Sequence, residues 1–169
     1  MNRMDTLSRP SAASEPDSFP RRVARLALTG PAQLASPVSR WVVTLLAVAG
    51  AALVVWSGVI HLQLWSGGYR DISVIGPLFG IQGIASIALA LPLVVFRRVA
   101  LLAAGAVLLA ATAAGLLLSA RIGLFGYTES LSVPYAETSL VVEFTGAVVL
   151  MVAATIALIA NRRSPGQSF

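Results

Sequence analysis

WSGVIHLQLWSGGYRDISVIGPLFGIQ, residues 56–82, is the stretch on which the reading of this chain turns. An apolar helix runs out through Trp56, His61, Gln63 and Trp65, breaks at Ser66-Gly67-Gly68-Tyr69-Arg70-Asp71, and re-enters at Gly76-Pro77. Two apolar arms around a short polar turn, with tryptophan beside the turn, are the signature of a membrane hairpin. The same stretch holds the single histidine and an adjacent Arg-Asp pair.

The rest of the chain has the same character. With 57% hydrophobic and 11% charged residues and a mean hydropathy of +0.83, it is too apolar for an ordinary soluble domain. A bilayer core takes about 20 apolar residues per helical crossing. The apolar blocks therefore predict an all-α, four-transmembrane-helix bundle with spans near 41–65, 75–96, 99–122 and 139–160. Residues 1–40 are expected as a mostly disordered basic cytoplasmic tail, and 161–169 as a cytoplasmic C-terminal tail.

The chain has no cysteine. That excludes disulfides, thiolate nucleophiles, iron–sulfur clusters and Cys-type zinc or c-type haem sites. The net charge of +5 comes from arginines that flank the spans, where membrane orientation explains them better than nucleic acid does. Arg3, Arg9, Arg21, Arg22, Arg25, Arg40, Arg97, Arg98, Arg162 and Arg163 fall on one side, and Arg70 and Arg121 on the other. Both termini are accordingly expected in the cytoplasm. Arg21-Arg22 raises a cleaved twin-arginine signal as an alternative, but Gly30, Pro31, Ser36, Pro37 and Arg40 intervene before the first long apolar run, which favours an uncleaved tail. Residues 19–28 mix arginine with apolar side chains and suit either a short helix on an anionic lipid surface or a solvated basic linker.

Small residues suggest how the spans meet. Ala47, Gly50, Ala51, Ser57 and Gly58 recur at helical spacing in the first span, and His61 continues their stripe. Gly76, Gly80 and Gly83 would let a neighbour approach the second span, and Pro92 would kink it or help end it. The third span is rich in alanine and is expected at the centre of the bundle. Residues 123–138 read as an outer loop lying partly on the membrane.

One constellation could carry chemistry. His61, Gln82, Arg121 and Glu143 come from four different spans at similar depth near the outer surface, with Arg70, Asp71, Glu129 and Glu137 just above. Ionisable groups at such depth face the bundle or a wet cavity and pair with one another. His61 could relay a proton or ligate a metal or haem, although haem would need a second axial ligand such as His61 of a second subunit. The plainer role is a hydrogen bond that fixes helix register. Glu143 could carry a proton or act as the counter-charge to Arg121 or His61, and the plainer role is a structural ion pair near the headgroups, for which Arg121 offers a partner. Gln82 reads as interhelical glue, and Arg70-Asp71 as a solvated loop pair. No Walker loop, His-Glu-x-x-His helix or Ser-His-Asp grouping is present, and no cofactor is predicted.

At Ile60-His61-Leu62-Gln63-Leu64-Trp65, Gly68-Tyr69-Arg70-Asp71-Ile72, Ile75-Gly76-Pro77-Leu78-Phe79 and Gly123-Leu124-Phe125-Gly126, the chain resembles uncharacterised small four-span membrane proteins of high-GC Gram-positive bacteria. In size and span count it is more loosely similar to DoxX-like membrane proteins. The resemblance implies a bacterial plasma membrane and transfers no catalytic residue. The expected function is an accessory or interaction subunit of a membrane complex, with the lipid bilayer and other membrane subunits as partners and no nucleic acid. The alternatives are a small redox or proton-handling protein using the His/Glu/Arg cluster and, further off, a transporter or channel.

Overall fold

The computed structural model describes residues 19–31, 34, 36–132 and 134–162. The Ser- and Pro-rich stretch 1–18, expected to be disordered, lies outside the described residues, as does the C-terminal segment 163–169. Among the described residues five α-helices follow one another: α1 (Phe19–Ala27), α2 (Pro37–Ser66), α3 (Ile75–Phe96), α4 (Val99–Ile122) and α5 (Ala136–Arg162). A single 3₁₀ turn, Tyr69–Asp71, lies between α2 and α3. The four long helices α2 to α5 are each apolar and long enough to cross a bilayer, and the protein is an all-α, multi-pass membrane protein.

Local chemistry sets the helix ends. Pro37 opens α2, where its missing N–H costs nothing. The α3–α4 turn is two residues long, with Arg97 left-handed (φ 48°, ψ 34°) and Arg98 extended. Between α4 and α5, Leu124 and Tyr127 exchange backbone hydrogen bonds of 2.7 and 2.9 Å around Phe125 and Gly126, both at positive φ. That is a tight primed turn, and it folds the loop back over the bundle.

Lipid tails are as apolar as leucine, so the helices associate by close packing rather than by hydrophobic transfer. α2 is the central helix, packed along its length against α3 on one side and α5 on the other, with α4 against α5. At the α2–α3 crossing a Cβ on Gly58 would stand 2.9 Å from Ser86 Cβ and 3.0 Å from the Gly83 carbonyl. On the other side Leu150 of α5, fully buried, fills the space that Gly50 of α2 and Gly105 of α4 leave open. The alanine-rich α4, expected at the centre, is peripheral. Its alanines are spread around the helix, and Ala104, Ala110, Ala111 and Ala114 are exposed, whereas the small residues of α2 form continuous faces.

The helix-packing glycines of α3 take different roles. Gly83 lies under Leu62 at the α2 crossing, Gly80 stands in ordinary contact with the Trp65 indole, and Gly76 admits the Arg70 and Tyr69 carbonyls where a Cβ would collide. Despite their short connection, α3 and α4 touch along much less of their length than α2 touches its neighbours. Away from the Arg97-Arg98 turn they leave a space between them.

Residues ahead of α2 also join the bundle. Val99 N–H donates to the Thr29 carbonyl (2.9 Å), Arg98 to the Leu28 carbonyl (2.8 Å) and Asn161 to Thr29 Oγ1 (3.2 Å). Leu34 is buried in the core with Val43, Val99 and Ala157. This arginine end of the bundle is opposite the loop end, where residues 67–74, 123–132 and 134–135 lie.

Candidate functional site

The space between α3 and α4 at the loop end is a cavity of about 310 Å³. Leu64, Leu78, Phe79, Leu108 and Leu116 give it apolar walls, while His61, Gln82, Ser139 and Glu143 form one polar pole and Tyr69, Tyr127 and Glu129 another.

The deeper pole is built from α2 and α5. Glu143 is fully buried. Its Oε1 accepts a hydrogen bond from Ser57 Oγ at 3.0 Å and one from Ser139 Oγ at 2.8 Å, the latter one turn back on the same helix. His61 Nδ1 stands 3.9 Å from that oxygen and 2.8 Å from the Ser57 carbonyl. A carbonyl can only accept, so Nδ1 carries a proton, and in the neutral ring Nε2 then keeps its lone pair. Glu143 Oε2 is buried without a hydrogen-bond partner among the described residues. Leaving a buried carboxylate oxygen unsatisfied costs about 1–3 kcal/mol or more.

The second pole closes the loop end. Glu129 is also buried, and its carboxylate accepts from Tyr69 OH (2.9 Å), from Tyr127 OH (3.4 Å) and from its neighbour's N–H (3.0 Å). Its own N–H donates to Ser119 Oγ. Burial first, then hydrogen bonding to Tyr127 and Glu129, pushes the Tyr69 phenol well above its usual range. An aromatic row joins the two poles. His61 and Phe79 lie 4.9 Å apart, Phe79 stacks on Tyr69 at 5.0 Å, and Tyr69 meets Tyr127 edge-on at 6.0 Å.

Of the residues expected to cluster, His61, Gln82 and Glu143 line this cavity and Arg121 does not. Gln82 donates to Ser86 rather than to His61 or Glu143. Arg121 is exposed and forms no ion pair with Glu143. It lies two residues beyond the buried Ser119, about 200° further around the helix. Two serine hydroxyls take the place at Glu143 that was expected for Arg121.

Of the four loop candidates, only Glu129 enters the cavity. Arg70 and Asp71 form a 3.6 Å pair with side chains 59% and 80% exposed, a contact worth about 0–1 kcal/mol. Glu137, in the first turn of α5, is exposed, in a shallow groove with Trp56. Sequence reasoning passed over Ser57, Ser139 and Tyr69 as site groups. The serines stand one turn before His61 and before Glu143, and that i−4 spacing was the available signal.

Among the described residues no three His, Asp or Glu side chains come together to hold a metal ion. The arrangement presents instead Glu143, whose Oε2 has no hydrogen-bond partner among the described residues, beside His61 at the edge of a mainly apolar cavity. Comparison with protein-family models, with curated proteins and with solved structures finds no match.

Proposed function

We propose that this protein binds a small amphiphile in the cavity between α3 and α4, its apolar body along Leu78, Leu108 and Leu116 and its polar head at His61 and Glu143. The observation that supports this most directly is the unpartnered Glu143 Oε2. A head group bearing an O–H or N–H would donate to that oxygen, and a second polar hydrogen would find His61 Nε2. Concave, mainly apolar sites with a few placed polar groups are the usual form of small-molecule sites. The membrane is read as a bacterial plasma membrane with both termini in the cytoplasm, so the cavity faces the outer leaflet. Support for that orientation is the arginine count on each side of the spans.

Gly115 supplies the test, because it lines the cavity and a Cβ there would meet nothing within 4 Å. Gly115→Leu sends a bulky side chain from a position where a Cβ meets no neighbour into the chamber and takes up part of its volume. Native mass spectrometry of protein extracted with its own lipids should find an amphiphile on the wild type and none on Gly115→Leu. An equal load on both sinks the reading. A stoichiometric protein partner with an empty cavity would favour the accessory-subunit role expected from the sequence.

A second reading, proton handling, is favoured by the 3.9 Å approach of His61 to Glu143. A neutral carboxyl here would carry its proton on Oε2, since Oε1 already accepts twice. His61→Ala that leaves ligand binding intact but abolishes a pH-dependent activity would support it.

A further inference from the structure

We propose that α1 lies on the surface of the same bilayer and is held there by anionic phospholipid. The inference does not depend on the cavity. Around α1, Phe19, Val23, Leu26 and Ala27 fall within about 100° of arc, and Arg21, Arg22 and Arg25 fall on the remaining circumference. Phe19 is 80% exposed and Val23 48% exposed, and the helix has no buried residue. An amphipathic helix with arginines on its polar face, and with Phe19 and Val23 of its apolar face exposed while Leu26 and Ala27 are only partly covered, has the form taken by helices in the plane of a membrane surface.

Its position favours the same occupant. The residues after α1 are tied to the first turn of α4 through the Thr29 and Leu28 carbonyls and to the last turn of α5 through Asn161. Those turns end membrane-spanning helices, so the tether sets α1 at headgroup level. The same end carries Arg97, whose Nε is buried without an acceptor among the described residues. Each arginine near an anionic surface improves binding about fivefold, and the attraction falls off within about 10 Å at moderate salt. Anionic lipid is therefore preferred over zwitterionic lipid, and over a second copy of this chain, whose own α1 carries the same positive charge.

The chain lacks cysteine, so Val23→Cys in the full-length protein gives a single site for a spin label. Its oxygen and nickel accessibilities would be read in nanodiscs of phosphatidylcholine alone and of phosphatidylcholine with phosphatidylglycerol. Phosphatidylglycerol should move the label from water into the acyl boundary. Adding Arg21→Gln and Arg22→Gln should reverse the shift, lowering the docked-to-free ratio about 25-fold. A label at Val107, exposed in mid-span, should read lipid in every sample and confirms that the bundle is intact. Three results would overturn the proposal: a label that stays in water in both lipids, one that is immersed regardless of the arginines, or one shielded from both reagents by protein.

Discussion

Replacing Leu150 by alanine removes the side chain that α5 inserts between Gly50 and Gly105. In a water-soluble core the loss would combine transfer and cavity terms and reach about 2.7–5.0 kcal/mol. Here the separated helices would still sit in lipid, so the transfer term largely vanishes. What remains is the void, about 70 Å³ at about 24 cal/mol per Å³, or roughly 1.7 kcal/mol. Steric-trap unfolding in bicelles should read that loss. The reciprocal change, Gly50→Ala, drives a Cβ into the Leu150 methyls and should cost about 1–3 kcal/mol of overpacking, less up to about 1 kcal/mol of helix propensity. In the double variant the new Cβ enters space that the leucine has vacated, so the two losses should fall short of their sum by about 1 kcal/mol. Strict additivity, or a Leu150→Ala loss below about 0.5 kcal/mol, would refute the account of how α2, α4 and α5 are held together.

His61→Ala and Glu143→Gln should likewise be non-additive by about 0.5–3 kcal/mol, because each leaves the other in an unmatched buried site; additive losses would separate the two residues. Gly83→Ala should lower thermal stability in detergent, since its Cβ meets Leu62 and the Gly58 carbonyl, while Gly80→Ala against Trp65 should be nearly silent; equal effects would misplace the α2–α3 crossing. Tyr69 holds its proton more tightly folded than unfolded, so its contribution should be constant below about pH 10 and decline above it as the unfolded phenol ionises. Tyr69→Phe should flatten that alkaline decline, and an unchanged profile would exclude Tyr69 as its source. For orientation, a cysteine at the exposed Ser132 should react with an impermeant thiol reagent in intact cells, whereas cysteines at Ser11 or Ser164, which lie outside the described residues, should react only after permeabilisation. The reverse pattern would invert the topology.

The spans were legible because membrane crossing depends on apolar length, which any chain displays openly. The α3 and α4 limits read from sequence match the structure, while α2 and α5 run a turn or so further into flanks that polar residues had obscured. The face of α2 carrying Ala47, Gly50, Ala51, Ser57, Gly58 and His61 was legible from its period, and every one of these residues is buried. Which helix lies at the centre was not. Alanine content does not say where around the helix the alanines fall, and α4 scatters them. Of the two partners expected for Glu143, His61 stands beside it and Arg121 does not, because rotation along α4 turns Arg121 outward and a pair of hydroxyls reaches the carboxylate. The Tyr69–Glu129 contact joins residues 60 positions apart in two different loops. No local pattern encodes a contact of that kind. The anchoring of Thr29 and Leu34 was hidden for a similar reason, since two buried residues inside a basic segment make no periodic signal.

A molecule bound in the chamber between α3 and α4, its polar head completing the hydrogen bonding of Glu143, would be visible at atomic resolution. Crystals grown in a lipidic mesophase from protein extracted with its native lipids would show this directly. Elongated density is expected along Leu78, Leu108 and Leu116, ending in a polar atom within about 3.2 Å of Glu143 Oε2. A chamber closed by collapse of α3 onto α4, or one with Glu143 Oε2 bonded to a protein donor and no room beside it, would contradict it.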